Sequence, residues 1–168
     1  MKTYTAAELG KILESHGKWF RGEVGGSRAD LQHANLHGAD LEGANLKGAT
    51  MCGAFLRGAN LEFANLQGAD LQDAYLAGAD LECAILRDAY LIDAYLKEAN
   101  LQGADLGGAN LRCADLRYTD LRDAYLHGAN LQDADLQGAD LRGAYLEDAN
   151  LEGANLKGAN LKGAITDF

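Results

Sequence analysis

From Ala29 to Phe168 apolar and polar residues alternate in one unbroken pattern, Ala-x-Leu-x-x, repeated 28 times without an insertion or deletion. The first position is Ala in 27 copies, with Thr119 the exception, and the third is Leu in 26, with Met51 and Thr166 the exceptions. In an extended chain alternate residues face opposite sides. The Ala and Leu therefore point the same way, inward, and the second position points out. The fourth and fifth positions must turn the chain before the next Ala. Gly holds the fifth position in 15 copies, which suits a corner with positive φ. Each unit thus reads as a short strand and one corner. A short fixed period of this kind predicts a solenoid whose units pack only against their neighbours.

Four units per coil give a period of 20 residues, and three give a triangular coil of 15. The outward second position is Asp or Asn in 19 copies and apolar or aromatic in eight: Phe55, Tyr75, Ile85, Tyr90, Tyr95, Tyr125, Tyr145 and Ile165. Four pairs of these lie 20 apart (55/75, 75/95, 125/145, 145/165), whereas one pair, 75/90, lies 15 apart. Side chains stacked on adjacent coils gain from contact as cross-strand pairs do, so the pattern favours 20. Seven such coils at the inter-strand spacing of about 4.8 Å make a rod roughly 34 Å long.

Residues 1–28 break the pattern and read as a separate segment, a capping helix with a Gly-rich link, ahead of the repeat domain at 29–168. Thr5-Ala6-Ala7-Glu8 has the form of a capping box, and Tyr4 with Leu9 fits the hydrophobic staple. Leu9, Ile12, Leu13 and His16 share one helix face, and Gly17 is placed to stop the helix. Trp19 and Phe20 follow before the link Gly22–Gly26. A solenoid's first coil exposes Leu side chains and unpaired strand groups, so this helix is expected to be its lid; the rival reading is a docking segment. The last unit, Ala164 to Phe168, brings no comparable cover. An uncovered edge invites pairing, so a weak C-terminal homodimer is expected, with Ile165 and Phe168 in its seam.

Charge and composition narrow the function. Net charge is −10, divided unevenly: +2 over residues 1–28, and −12 over the repeats from 22 Asp/Glu against ten Lys/Arg. Direct nucleic-acid or anionic-membrane binding by bulk electrostatics is therefore disfavoured. Met1-Lys2 is followed by Thr-Tyr-Thr-Ala-Ala-Glu rather than an apolar run, so no signal peptide is expected, and no stretch has the length of a membrane span. Cys52, Cys83 and Cys113 are widely spaced and read as free thiols in a reducing cytoplasm. On a 20-residue coil Cys83 and Cys113 lie on opposite sides, too far apart for a disulfide.

An interior filled by Ala and Leu leaves no room for a catalytic pocket, so the sequence argues for a non-catalytic protein without a cofactor. His33, His37 and Cys52 fall near one another in the first two coils, but their spacing is poor for zinc. Two surface features remain. At a spacing of 20, Asp40, Glu42, Glu62, Asp80, Glu82, Asp120 and Asp140 form an acidic stripe. Stacked like charges cost stability, which makes the stripe a candidate DNA mimic; DNA carries about one charge per 1.7 Å, or about 20 over the rod's length. The plainer reading is that Asp and Asn at the second position hydrogen-bond the corner backbone. On the side before it, Phe55, Tyr75 and Tyr95 form a ladder beside a mainly basic column containing Arg57, Lys97 and Arg117. Exposed aromatics beside cations read as a protein-binding face.

Segments such as Ala39-Asp40-Leu41-Glu42-Gly43 and Ala59-Asn60-Leu61-Glu62-Phe63 resemble the pentapeptide-repeat family, and the likeness covers residues 29–168. The resemblance implies an all-β solenoid, a right-handed quadrilateral β-helix; with 28 units the expected fold is one of about seven coils with the short helical cap in front. It implies no single activity. A subset of the family binds bacterial DNA gyrase and related topoisomerases and is read as mimicking DNA. Such members often carry loops that interrupt the coils, and this chain carries none. Family members often dimerise through their C-terminal ends. The expected function is accordingly an interaction scaffold with flat charged faces for another protein. The alternative is a DNA-mimicking modulator of DNA gyrase.

Overall fold

The computed structural model describes residues 2–167. The repeats form a solenoid. Each outward second-position residue from Asp30 to Tyr145 makes a parallel bridge to the residue 20 positions later. Four units therefore complete one coil, and the 15-residue period is not the register found. We number the four columns of stacked units by their first members, Ala29, Ala34, Ala39 and Ala44.

One hydrogen-bond scheme recurs along the interior coils. In the second column, Tyr95 N–H donates to Ala74 C=O at 2.9 Å, Leu96 N–H to Asp115 C=O at 2.8 Å and Glu98 N–H to Arg117 C=O at 3.0 Å. A fourth bond, Ala99 N–H to Leu96 C=O at 3.0 Å, closes the corner. All 27 described fifth positions are left-handed, at φ of +60 to +76° in the 15 glycines and +51 to +62° in the 12 other residues. Positive φ at the second central residue alone is the signature of a type II turn. Glycine suits the corner, yet the ladder holds Phe63, Glu98 and Tyr118 in the same conformation.

The core is the column of inward Ala and Leu, most of them without accessible surface. Met51 fits the Leu position, fully buried. Thr119 is buried as well, and its hydroxyl donates to Leu96 C=O at 3.0 Å. That carbonyl already serves Ala99, so this polar side chain is satisfied without cost to a neighbour.

The N-terminal segment lies over the first coil. A two-residue strand β1 (Lys2–Thr3) pairs in parallel with β2 (Ala34–Asn35), which continues the ladder upward on the second column. Helix α1 (Ala6–Phe20) starts at the expected capping box, with Thr5 and Glu8 exchanging bonds at 3.2 and 2.8 Å. Accepting the Thr5 backbone and side-chain bonds lowers the Glu8 carboxyl's pKa. The helix does not stop at Gly17. It runs one turn further to a Schellman cap centred on Gly22 (φ +71°), with Gly22 N–H to Trp19 C=O at 3.0 Å and Glu23 N–H to Lys18 C=O at 2.9 Å. Two contacts favour the longer helix: within it Trp19 stacks on His16 one turn earlier at 5.3 Å, and Lys47 of the first coil lies over the Phe20 ring. Gly26 then passes so close to the Trp19 backbone that a Cβ there would lie 2.1 Å from its nitrogen.

Leu9 is buried on the first coil, and Tyr4, Ile12 and Leu13 pack partly against the same core. Trp19 and Phe20 remain 41% and 47% exposed. The helix leaves an open cleft of about 390 Å³ against the first coil, lined by Tyr4, Leu9, Leu13, Leu36 and Ala39, with His37 and Asp40 at its rim. At the other end Leu151, Leu156 and Leu161 are only partly buried. Phe168, the ring expected at that end, lies outside the described residues.

Candidate interaction faces

The outward second position has a structural task that the sequence offered only as the plainer option. In all 19 units with Asp or Asn there, the side-chain Oδ1 accepts the N–H of the fourth-position residue two along. This Asx geometry folds the side chain back onto the corner and satisfies a donor the ladder does not reach. Asp40, Asp80, Asp120 and Asp140 of the acidic stripe all do so.

The stripe differs along its length. In its first half Asn60 reaches Glu42 at 3.5 Å, Asn100 reaches Glu82 at 3.2 Å, and no cation pairs with Glu42, Glu62 or Glu82 among the described residues. Carboxylate oxygens of Glu62, Asp80 and Glu82 come within 4.8 Å of one another. Sharing a hydrogen bond with Asp80, then burial and the charges of Asp80, Glu42 and Glu82, raise the Glu62 carboxyl's pKa. In the second half Arg122 and Arg142 clamp Asp120 and Asp140, each with an Nη2 to Oδ2 distance of 2.6 Å. Both aspartates titrate below the usual range because the guanidinium holds them. The negative field is thus concentrated in the first three coils.

On the second column Phe55, Tyr75 and Tyr95 stack as a continuous ladder, with centroids 4.8 and 4.9 Å apart and rings within 4° of parallel. Tyr75 and Tyr95 are 41% and 44% exposed. Of the cations beside them, Arg117 is held by Asp115 at 2.6 Å, and Lys97 meets Glu98 at 3.2 Å and the Tyr118 ring at 5.9 Å. Arg57 has no ion pair among the described residues. The Asp115 carboxyl is lowered by its Arg117 bonds.

The outward pair Tyr125 and Tyr145, spaced by 20 in the sequence, forms a second ladder with ring centroids 4.8 Å apart in the fourth column. Tyr90 is exposed as its outward position requires, whereas the exposed rings of Phe63 and Tyr118 stand at corner positions to which the sequence reading gave no role. His33, His37 and Cys52 do not form a ligand group; His37 Nδ1 instead meets Arg57 C=O at 2.6 Å. The three cysteines are unpaired, and burial, then Asp70 and Asp73, push the Cys52 thiol up. No helix of the described residues is long and apolar enough to cross a membrane.

The sequence model for Pentapeptide repeats matches residues 27–62, 54–91, 89–128 and 129–165, with eight copies of the model's unit. Among solved structures, alr5209, a pentapeptide repeat protein from Nostoc PCC 7120, is 38% identical over 68% of this chain and 82% of its own, with a TM-score of 0.56. HetL, a pentapeptide repeat protein involved in heterocyst differentiation regulation in Nostoc sp. strain PCC 7120, is 38% identical over 83% of this chain and 71% of its own, with a TM-score of 0.39. QnrB1, a plasmid-mediated fluoroquinolone resistance protein, is 21% identical over 80% and 78% of the two chains, with a TM-score of 0.41. No curated protein matches the chain.

Proposed function

The chain belongs to the pentapeptide-repeat family, and on that premise we infer that it is an interaction scaffold that holds flat charged faces toward another protein. It is not an enzyme; family members are structural or interaction proteins. We read the solenoid as a right-handed quadrilateral β-helix of seven coils, with residues 1–28 as its lid and the cytoplasm as its place of work. The observation that carries the scaffold reading is the Phe55, Tyr75 and Tyr95 ladder beside Arg57. Three rings held parallel on a rigid wall, two of them exposed, lose little freedom on contact, and aromatic and Arg side chains are what binding hot spots favour. The test is capture from the protein's own cell extract by wild type and by a Tyr75→Ala, Tyr95→Ala, Arg57→Ala variant. A partner retained by wild type and lost by the variant supports the face; equal capture removes it.

A second reading, a DNA-mimicking modulator of DNA gyrase, is favoured by one observation. Asp40, Glu42, Glu62, Asp80 and Glu82 concentrate negative charge over three coils and have no counter-cation among the described residues. Supercoiling by purified gyrase tests it. Inhibition that disappears with Glu42→Gln, Glu62→Gln and Glu82→Gln together supports mimicry. Full supercoiling in the presence of excess wild-type protein ends it.

A further inference from the structure

The fourth positions of the third column change sign halfway along the rod. They read Glu42, Glu62 and Glu82, then Gln102, then Arg122, Arg142 and Lys162. The column is antisymmetric about Gln102, with three carboxylates on one side and three cations on the other. The second column is mainly basic at both ends, and the fourth reverses more weakly, from Lys47 and Arg87 to Glu147 and Asp167. The third column is also the flattest. Its second positions are all Asp or Asn, each tied back into its corner, whereas Tyr125 and Tyr145 project from the fourth.

We propose that this face is self-complementary and receives a second copy of the same chain, antiparallel, about a two-fold axis that lies in the face, runs parallel to its strands and is level with Gln102. The operation keeps fourth positions opposite fourth positions and reverses the coil order. Glu42 then faces Lys162, Glu62 faces Arg142 and Glu82 faces Arg122, and each pair occurs twice by symmetry. Both rods have the same inter-coil spacing of about 4.8 Å, so all the pairs come into register together. Sliding one rod by one coil places Glu82 against Gln102 and leaves Lys162 unmatched. A parallel arrangement stacks Glu on Glu, so the same charges that favour one docking oppose the other.

The side chains are free to make these contacts. Glu42, Glu62, Glu82 and Lys162 take part in no ion pair among the described residues. Arg122 and Arg142 spend Nε and Nη2 on Asp120, Asp140 and Gln102, and their Nη1 groups have no hydrogen bond among the described residues. The second positions tolerate the docking: Asp40 meets Asn160 and Asn60 meets Asp140. The one like pair, Asp80 with Asp120, has Arg122 already on Asp120. Phe63, 56% exposed at a corner, comes opposite Gly143, which has no side chain to obstruct it. A partner's Arg142 would also relieve the crowding of acids around Glu62.

Single surface ion pairs contribute little. A matched set across one face fixes orientation and register, and its strength falls as salt screens it. The experiment is sedimentation equilibrium of the full chain at about 20 mM and about 0.5 M salt, for wild type, Glu62→Arg, Arg142→Glu and the two reversals together. At protein concentrations too low for a weak end-to-end contact, the expected result is a low-salt dimer that dissociates at high salt, is weakened about tenfold or more by either reversal, and recovers when both are present. Glu42→Lys with Lys162→Glu repeats the exchange at residues with no ion pair in the chain, should Arg142→Glu disturb folding beside Asp140. A low-salt monomer overturns the proposal. So does a dimer indifferent to the single reversals, which places the contact elsewhere, or a double exchange that fails to restore association.

Discussion

The Nδ1 of His16 accepts the backbone N–H of Ala29 at 3.0 Å, which ties the buried face of helix α1 to the first residue of the first repeat. His16 has no accessible surface and is stacked on Trp19. Accepting at Nδ1 requires the neutral tautomer with its proton on Nε2. That proton is directed toward Lys47 C=O but does not complete a hydrogen bond. Burial, opposed by the Lys47 carbonyl and aided by Arg28, holds the imidazole's pKa below the ordinary 6.5. Arg28 is the charged group acting on it.

The pH dependence of the cap follows with a definite sign. The folded value is below the unfolded one, so this interaction is intact above the unfolded value and loses stability as pH falls from about 6.5 toward the depressed folded value. A lower melting midpoint at about pH 5 than at about pH 7.5 is expected. His16→Gln should flatten that slope while lowering stability throughout. Asp115, Asp120 and Asp140 act in a separate window, because their lowered values cost stability only as pH falls below 3.8. Glu62, raised by its neighbours, works in the opposite sense and is common to both proteins, so the comparison removes it. Equal slopes with and without His16 would contradict the assignment.

The corners allow a second test. Gly58 sits at φ +62° with open space where a Cβ would project, so Gly58→Ala adds no clash and isolates the backbone preference. The expected loss is about 1–2 kcal/mol. Glu98 occupies the same kind of corner at φ +62° with an exposed side chain. Glu98→Gly is therefore expected to be neutral or to stabilise by up to about 1 kcal/mol, after allowance for the lost Lys97 contact and the looser unfolded chain. Urea midpoints decide, and a destabilised Glu98→Gly would show that side-chain contacts outweigh the corner's strain.

These residues show how far the sequence was legible. The inward Ala and Leu, the 20-residue register and the Thr5–Glu8 box all follow from local rules acting at fixed spacing, and the repetition removes the ambiguity that a single copy would have. What escaped depends on contacts made once. Gly17 and Gly22 are both plausible helix stops, and the choice falls where Lys47 of the first coil meets Phe20 and Gly26 crosses the Trp19 backbone, contacts that need the folded cap. The pairing of Lys2 and Thr3 with Ala34 and Asn35 has no pattern of its own. Asp at the second position looked like surface charge as well as a corner bond, and only hydrogen-bond geometry separates the two. The sign reversal from Glu82 to Arg122 is visible only when fourth positions are aligned at a spacing of 20 over the whole length of a column.

Inward and outward positions should differ sharply in their tolerance. Leu96 is 1% exposed between coils above and below, and those neighbours cannot collapse into a hole without breaking their ladders. Leu96→Ala is expected to cost about 2–5 kcal/mol. Tyr75→Ala removes an outward ring with two stacking contacts and should cost about 1 kcal/mol. Thr119→Ala restores the repeat's usual residue and leaves Leu96 C=O bonded to Ala99, so a change within about 0.5 kcal/mol is expected. Equal losses for Leu96→Ala and Tyr75→Ala in urea unfolding would refute the assignment of faces.

The C-terminal end offers the last test. Elsewhere in the rod, third- and fifth-position N–H groups bond to the next coil. At Leu151, Leu156, Leu161, Gly153 and Gly158 no such backbone bond is made among the described residues. The Leu side chains of that coil are only partly buried, and Ile165 lies at its rim, 44% exposed. Unpaired donors beside apolar surface form a template for another strand. Two rods meeting tail to tail about a two-fold axis would cover both ends at once and could not propagate into a fibre. One coil's cross-section is a small contact, so the expected association is weak and mainly apolar. It should therefore persist at about 0.5 M salt, which separates it from association through the charged third face. Light scattering over a concentration series at that salt is the measurement, with Ile165→Asp and Phe168→Asp together as the variant. A monomer at every concentration excludes the end-to-end contact, and so does an association unchanged by the two added charges.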